Sequence, residues 1–204
     1  MSYVLLDPNV QFLLEGSQSN ISVGEFWRWN GSCLLSNTLR GALAEFIIAK
    51  ALEITLTSAR IDWTAYDLDY PRNGRSYAIE VKASAYIQAW KQNKLSKISF
   101  DIAPSREWKD QKYTGDRKRR ADVYVFCLHK FNDLTAKAKA NPLDLSQWEF
   151  YVVDVDALNT LGLNQQSLSL GKLKRLSHIK CSYCDLKRNV DNICDNKPRF
   201  YCEA

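Results

Sequence analysis

The stretch from Thr64 to Ser84, TAYDLDYPRNGRSYAIEVKAS, constrains the fold more than any other part of the chain. Asn73-Gly74 lies between two alternating runs. This dipeptide is the strongest short-range signal for a hairpin with a two-residue turn, because both turn positions need positive φ. In the second run Tyr77, Ile79 and Val81 form one apolar face, and Ser76, Ala78, Glu80 and Lys82 form the other. A strand so patterned packs one face on a core and presents an acid and an amine, two residues apart, on the opposite side.

Register decides which second acid meets Glu80. With Asn73 and Gly74 as the central turn residues, Arg72 faces Arg75 and Asp67 lies opposite Glu80, with Cβ atoms about 5 Å apart. A four-residue PRNG turn instead makes Asp67 a diagonal neighbour of Glu80. Both registers favour Asp67 over Asp69, although Pro71 donates no ladder hydrogen bond and weakens the pairing. Two like charges facing each other across a hairpin repel, and a cation between them removes the penalty. Hard oxygen ligands of this kind suit Mg²⁺ or Mn²⁺, with water and a substrate phosphate completing the shell. Lys82 projects beside Glu80, where an ammonium can orient or help deprotonate a water, or neutralise charge on phosphate. The plain alternative is a solvated ion network of little energetic worth.

Upstream, LRGALAEFIIAKALEI reads as a helix from Leu39 to about Ile54, with Ser36 or Asn37 as N-cap. It is apolar nearly all round, as expected of a helix packed on more than one side. Glu45 shares a stripe with Gly41, Ile48 and Leu52. A carboxylate there is costly unless paired or near a metal, which makes Glu45 a candidate for a second-metal or water-positioning role. After Lys82 the pattern predicts a helix over SAYIQAWKQNK and then a strand, SKISFDI. An irregular basic segment, 105–120, separates these from ADVYVFCLH, an apolar run expected to be buried on both faces. WEFYVVDV reads as a further strand, and SLGKLKRLS as a short helix. This order predicts one mixed α/β domain, residues 1–178, with helices covering a sheet of about five strands. Residues 179–204 form a Cys-rich C-terminal tail.

Composition supports a globular domain: 204 residues, 46% apolar and 25% charged, with a net charge of +5. No apolar run approaches the roughly 18 residues of a membrane span, and no basic leader precedes the first apolar patch. A cytoplasmic protein with no membrane contact is expected. The basic segment holds seven bases, including Lys109, Lys112, Arg117, Lys118, Arg119 and Arg120, against three acids, with Trp108 and Tyr113 interleaved. Such a run can neutralise phosphates and stack bases, or it can be a solvated charged loop. Trp27 and Trp29 of FWRWNG are expected in the core.

The tail spaces its cysteines C-x₂-C-x₉-C-x₇-C, at Cys181, Cys184, Cys194 and Cys202. Four thiolates can hold one tetrahedral zinc, and the first pair has ligand spacing. Tyr183, Leu186, Val190 and Ile193 of the same stretch also recur with helical period. Both readings stand at this level.

An acid, a hairpin, then acid-x-Lys on an apolar strand, preceded by a helix carrying Glu, resembles the PD-(D/E)xK nuclease superfamily. Asp67, Glu80 and Lys82 match its D…ExK positions and Glu45 its helix glutamate, while Tyr66 stands where the leading Pro is often found. FWRWNGSCLLSNTLRGALAEFIIAKAL, IEVKASAYIQAWKQNKLSKISFDI, ADVYVFCL and NPLDLSQWEFYVVD are similar to a group of small bacterial restriction-endonuclease-like proteins. The resemblance implies a restriction-endonuclease-like fold and Mg²⁺-dependent hydrolysis of DNA phosphodiesters by in-line attack of a metal-bound water, in restriction, defence or repair. It implies that Asp67 and Glu80 bind the metal together with the Val81 carbonyl, and that Lys82 serves the nucleophile. It also implies that Gln88, on a following helix, supports the site, against a solvated helix position as the alternative. A homodimer would let such an enzyme cut both strands of a duplex, though nothing in the sequence demands one. The rival reading is a catalytically silent nucleic-acid-binding or partner-binding protein on the same fold.

Overall fold

The computed structural model describes residues 4–61, 64–109 and 112–197. It begins with a hairpin, β1 (Gln11–Leu14) and β2 (Ser17–Ser22), and a helix, α1 (Val23–Gly31). Then come α2 (Asn37–Ala51), β3 (Leu68–Arg72) and β4 (Arg75–Ala85). β5 (Ser99–Asp101), β6 (Ser105–Lys109), β7 (Lys112–Lys118) and β8 (Val123–His129) follow. The chain continues through β9 (Trp148–Asp154), α3 (Val155–Asn159), β10 (Ser167–Ser169) and α4 (Leu170–Leu173). It closes with β11 (Ile179–Cys181) and α5 (Leu186–Asn196).

The main sheet has five strands in the order β11-β9-β8-β4-β3. β4 and β8 run parallel, and every other neighbour is antiparallel. The fold is therefore mixed α/β with helices flanking a five-stranded sheet. β8 sits at the centre with all seven residues buried, as its unbroken apolar run requires. Ile79, Val81, Val125 and Val152 project to one side, where α2 and α5 cover them through Ala44, Ile48, Leu186 and Val190. Tyr124, Phe126, Tyr151 and Val153 project to the other, against Phe100, Leu158, Leu168 and Leu173.

Local chemistry explains the two elements that carry the acids. In α2 the Ser36 hydroxyl accepts from the Leu39 N–H, so serine satisfies one free donor of the first turn. In the β3–β4 hairpin Asn73 and Gly74 both adopt positive φ, 52° and 76°. That is the primed two-residue turn, and it fixes Arg72 opposite Arg75 and Leu68 opposite Ile79. The tighter of the two registers is the one formed.

Four expectations are corrected. The helix over residues 84–94 does not form: β4 stays paired with β8 as far as Ala85, and the chain then bends. Gln92 accepts from the Gln88 N–H (2.6 Å) and donates to the Tyr86 carbonyl (3.1 Å), so a side chain serves backbone groups that a helix would have paired. The strand from SKISFDI shortens to β5 and leaves the main sheet, pairing instead with β10. The basic segment is no irregular loop but a hairpin, β6 with β7. Trp27 and Trp29 are exposed rather than buried, 42% and 82%. The cysteine-rich segment contributes β11 to the main sheet and α5 to the core, where Leu186, Val190 and Cys194 are fully buried.

Candidate active site

β3 and β4 bring Asp67 to Glu80. Asp67 stands one residue before β3, and its N–H donates to the Ile79 carbonyl at 3.1 Å. Its carboxylate Oδ2 accepts from the Val81 N–H at 2.7 Å, taking the place of a strand carbonyl where β3 gives out. The Ile79 carbonyl points to this edge, so the Val81 carbonyl two residues on does too. Glu80 and Lys82 share the face of β4 turned away from α2 and α5, with Lys82 Nζ 2.5 Å from Glu80 Oε1.

The electrostatics show that the cluster is short of positive charge. Burial and the facing Glu80 carboxylate push Asp67 up to about 6, against the relief that the Val81 N–H provides, and Glu45 adds to the repulsion. Burial pulls the Lys82 ammonium down, but Glu80, Asp67 and Asp101 outweigh it and hold its proton more tightly than usual. Lys82 is therefore a cation at neutral pH, able to donate hydrogen bonds and offset negative charge rather than accept a proton.

Glu45 lies within electrostatic reach of Asp67, but its carboxylate is gripped by Arg60, with Nε at 2.5 Å from Oε2 and Nη2 at 2.7 Å from Oε1. Glu45, Arg60, Asp67 and Asp69 line a cavity of about 600 Å³ together with Ala42, Phe46 and Ile61. Gln88 is buried at the end of β4 and belongs to another group. Its Oε1 accepts from the Arg40 guanidinium at 3.0 Å and its Nε2 donates to the Ala85 carbonyl at 2.8 Å. These hydrogen bonds tie α2 to the end of β4, and none of them reaches Asp67, Glu80 or Lys82.

Sequence reasoning missed three residues at this site. Tyr124 sits on β8 beside Glu80, and burial together with that carboxylate raises its phenol. Asp101, at the end of β5, is felt by Lys82. Arg60 occupies an irregular segment with no periodicity to mark it. Tyr124 could be found only from the parallel register of β4 on β8, which no local pattern encodes.

The basic hairpin divides into unlike members. Arg119 is buried and donates to the carbonyls of Ile102, Gly162 and Gln165 and to the Asn159 side chain, so it is a structural clamp and is withdrawn from the nucleic-acid contacts. Arg117 leans on the Pro104 carbonyl, Lys118 is exposed and Arg120 half-buried. The side chains of Lys109, Lys112, Trp108 and Tyr113 lie outside the described residues.

Among the described residues the cysteines do not gather into a metal-binding group. Cys184 is exposed, Cys181 half-buried, and Cys194 is sealed in the core with its thiol pushed up to about 12 by burial. Cys202 lies outside the described residues. Among the described residues no group of three or more His, Cys, Asp or Glu is placed to hold a metal ion. At the acidic site the carboxylate donors are thus the pair Asp67 and Glu80, with Glu45 engaged elsewhere.

Two facing carboxylates with a protonated lysine beside them thus stand at the edge of the mixed sheet where β3 ends. The chain belongs to the bacteriophage T4 endonuclease IV family, whose model matches residues 28–169, from α1 through β10. It is therefore an endonuclease-family enzyme, a hydrolase of phosphodiester bonds. The chain is also similar to the structure of a bacterial homing endonuclease, I-Ssp6803I, with 20% identity over 66% of this chain and 78% of that one and a TM-score of 0.37. No curated protein matches it in sequence. Among the described residues no helix is long and apolar enough to cross a membrane.

Proposed function

We propose that the chain is a divalent-metal-dependent DNA endonuclease of the PD-(D/E)xK kind, with Asp67, Glu80 and Lys82 as its working residues. The observation that carries this reading is geometric: the hairpin register sets Asp67, anchored on the Val81 N–H, against Glu80, whose Oε1 meets the Lys82 ammonium. The donor set fits Mg²⁺ or Mn²⁺. Asp67 keeps Oδ1 and Glu80 keeps Oε2 outside the bonds described above, and the Val81 carbonyl faces the same edge, all hard oxygens. Mg²⁺ needs only one or two carboxylates when water and phosphate oxygens supply the rest. When bound, the cation supplies Lewis acidity, acidifying water and drawing charge from the phosphate.

The remaining work falls to the chain. Asp67, Glu80 and the Val81 carbonyl would hold the cation at the edge where β3 ends, which is where a phosphate would have to come. Lys82, held protonated, donates to a phosphate oxygen or to the attacking water and offsets charge as the fifth bond to phosphorus forms. Glu45, released from Arg60, would extend the acidic set, and Gln88 with Arg40 holds the end of β4 against α2. Lys118 and Arg117 on the β6–β7 hairpin contribute phosphate contacts that carry no base code. Restriction, defence against mobile DNA and repair all use such an activity.

The test is cleavage of supercoiled plasmid by the full chain with Mg²⁺, Mn²⁺ or EDTA, comparing wild type with Glu80→Gln and Lys82→Ala. Nicking that needs the metal and is lost in both variants supports the reading. Nicking that survives either substitution, or proceeds in EDTA, refutes it. Metal-dependent DNA binding without cutting by the wild type would favour the silent alternative.

A further inference from the structure

Residues 4–31 carry a large unmet demand for burial. This arm comprises the β1–β2 hairpin and α1, and none of the three elements holds a buried residue. Of seventeen large apolar side chains exposed among the described residues, eleven belong to it, including Leu13 at 68%, Leu14 at 70% and Trp29 at 82%. The arm packs on itself, β1 with β2 and α1 with β2, and its elements have only slight contact with the body. Leu5 is the exception, reaching the cavity lined by Glu45 and Asp67.

A lone two-stranded hairpin is marginal in water and needs a helix or further strands on its apolar face. Here α1 touches β2, yet both strands stay exposed, so the ordering cost of the arm is not met within one chain. The arm is nevertheless well formed: α1 starts with a capping box, Ser22 and Glu25 each serving the other's N–H. An ordered element this apolar and this bare is built to be covered.

Area and charge narrow what covers it. Eleven such side chains at about 100 Å² each offer on the order of 1,000 Å², against the roughly 800 Å² per partner of a stable protein interface. Nucleic acid is disfavoured, because the arm has three acids (Asp7, Glu15, Glu25) and one base (Arg28), a net charge of −2. The rest of the chain then carries +7, since +5 minus −2 is +7. An acidic arm and a basic body are complementary across two copies of the same chain. The body also offers an apolar groove between α2 and the loop before β9, lined by Leu43, Phe46, Ile47, Pro142, Leu143 and Leu145. Leu143 is 67% exposed there.

We infer that the arm is a dimerisation element: each copy lays its β1–β2 hairpin and α1 onto the α2 groove of a second copy. Two reciprocal contacts close a two-fold dimer, so no apolar patch is left to propagate a fibre. The inference rests on exposure, charge and shape, and stands whether or not the nuclease assignment holds.

Sedimentation equilibrium or light scattering on the full chain tests it. Wild type is expected at 47 kDa, twice 23.5 kDa. A Leu13→Asp/Trp29→Asp double variant, and separately Leu143→Asp, should each sediment at 23.5 kDa. All three positions are exposed, so an unchanged far-UV circular dichroism spectrum is expected and shows that the fold survives. A wild type that stays monomeric at about 50 µM overturns the inference, since a specific interface of this size holds at micromolar concentration or below. Monomeric wild type with the arm folded back on its own groove, or monomers captured by lipid vesicles, would overturn it equally. So would a dimer that persists in either variant.

Discussion

Replacing Asp67 with Asn should make the metal-free protein more stable while removing its activity. The carboxyl is raised from 3.8 to about 6 by burial and by Glu80. At 1.36 kcal/mol per unit this corresponds to about 3 kcal/mol of unfavourable ionisation, and partial exposure of the side chain discounts it to about 1.5–3 kcal/mol. The sign follows from linkage. The unfolded chain ionises near 3.8 and the folded chain near 6, so the unfolded state binds fewer protons between those values. Wild-type stability therefore falls as pH rises from about 4 to 6 on this account, and the deficit is complete above 6. Asn carries no such penalty and its amide oxygen can still accept from the Val81 N–H. In EDTA at pH 8, thermal or urea unfolding of Asp67→Asn should show a gain of about 2 kcal/mol, or about 4–8 °C in midpoint for a domain of this size. At pH 4 the difference should nearly vanish. Added Mg²⁺ should stabilise wild type and not the variant. Equal or lower stability of the variant at pH 8 would refute the claim that Asp67 and Glu80 repel each other in the folded state.

Other outcomes follow from the same geometry. With limiting Mg²⁺, single-turnover cleavage should rise about tenfold per pH unit up to about 6 and level off above it, because only ionised Asp67 can serve the cation; saturating Mg²⁺ should move the break to lower pH, and a profile without that dependence on metal concentration would count against Asp67. Arg119→Ala should cost about 2–4 kcal/mol in urea unfolding, since three carbonyls lose a buried donor, without selectively weakening DNA binding. Lys118→Ala should leave stability within about 0.5 kcal/mol and lower the slope of log affinity against log salt by about 1. Arg60→Ala should free Glu45 and change the metal dependence of cleavage at unchanged fold, whereas identical metal titrations would show that Glu45 takes no part.

Much of the site was legible because it is local. A two-residue turn with positive φ at Asn73 and Gly74 dictates register, and register by itself puts Asp67 against Glu80 and leaves Lys82 on the same face. The buried strand Val123–His129 and the capped helix behind Ser36 are likewise written in short-range pattern and chemistry. Gln88 and Arg119 were misplaced for the opposite reason. Nothing near Gln88 shows that Gln92 will serve its backbone or that Arg40 will reach it from α2. Nothing in a run of four bases shows that one will fold inward onto carbonyls 17 to 46 residues away in sequence.

By itself, then, the sequence determined the hairpin, its register, the acid pair with its lysine, and the order of elements in a mixed α/β domain. These rest on turn geometry, periodicity and capping, which act within a few residues. Only the tertiary structure decided that β4 runs parallel to β8 and sets Tyr124 beside Glu80, and that Arg60 occupies Glu45. It alone decided that α5 is core, and that residues 4–31 stand out bare. Those outcomes depend on which distant surfaces meet, and the free energy of such meetings is spread over many residues rather than encoded at any one.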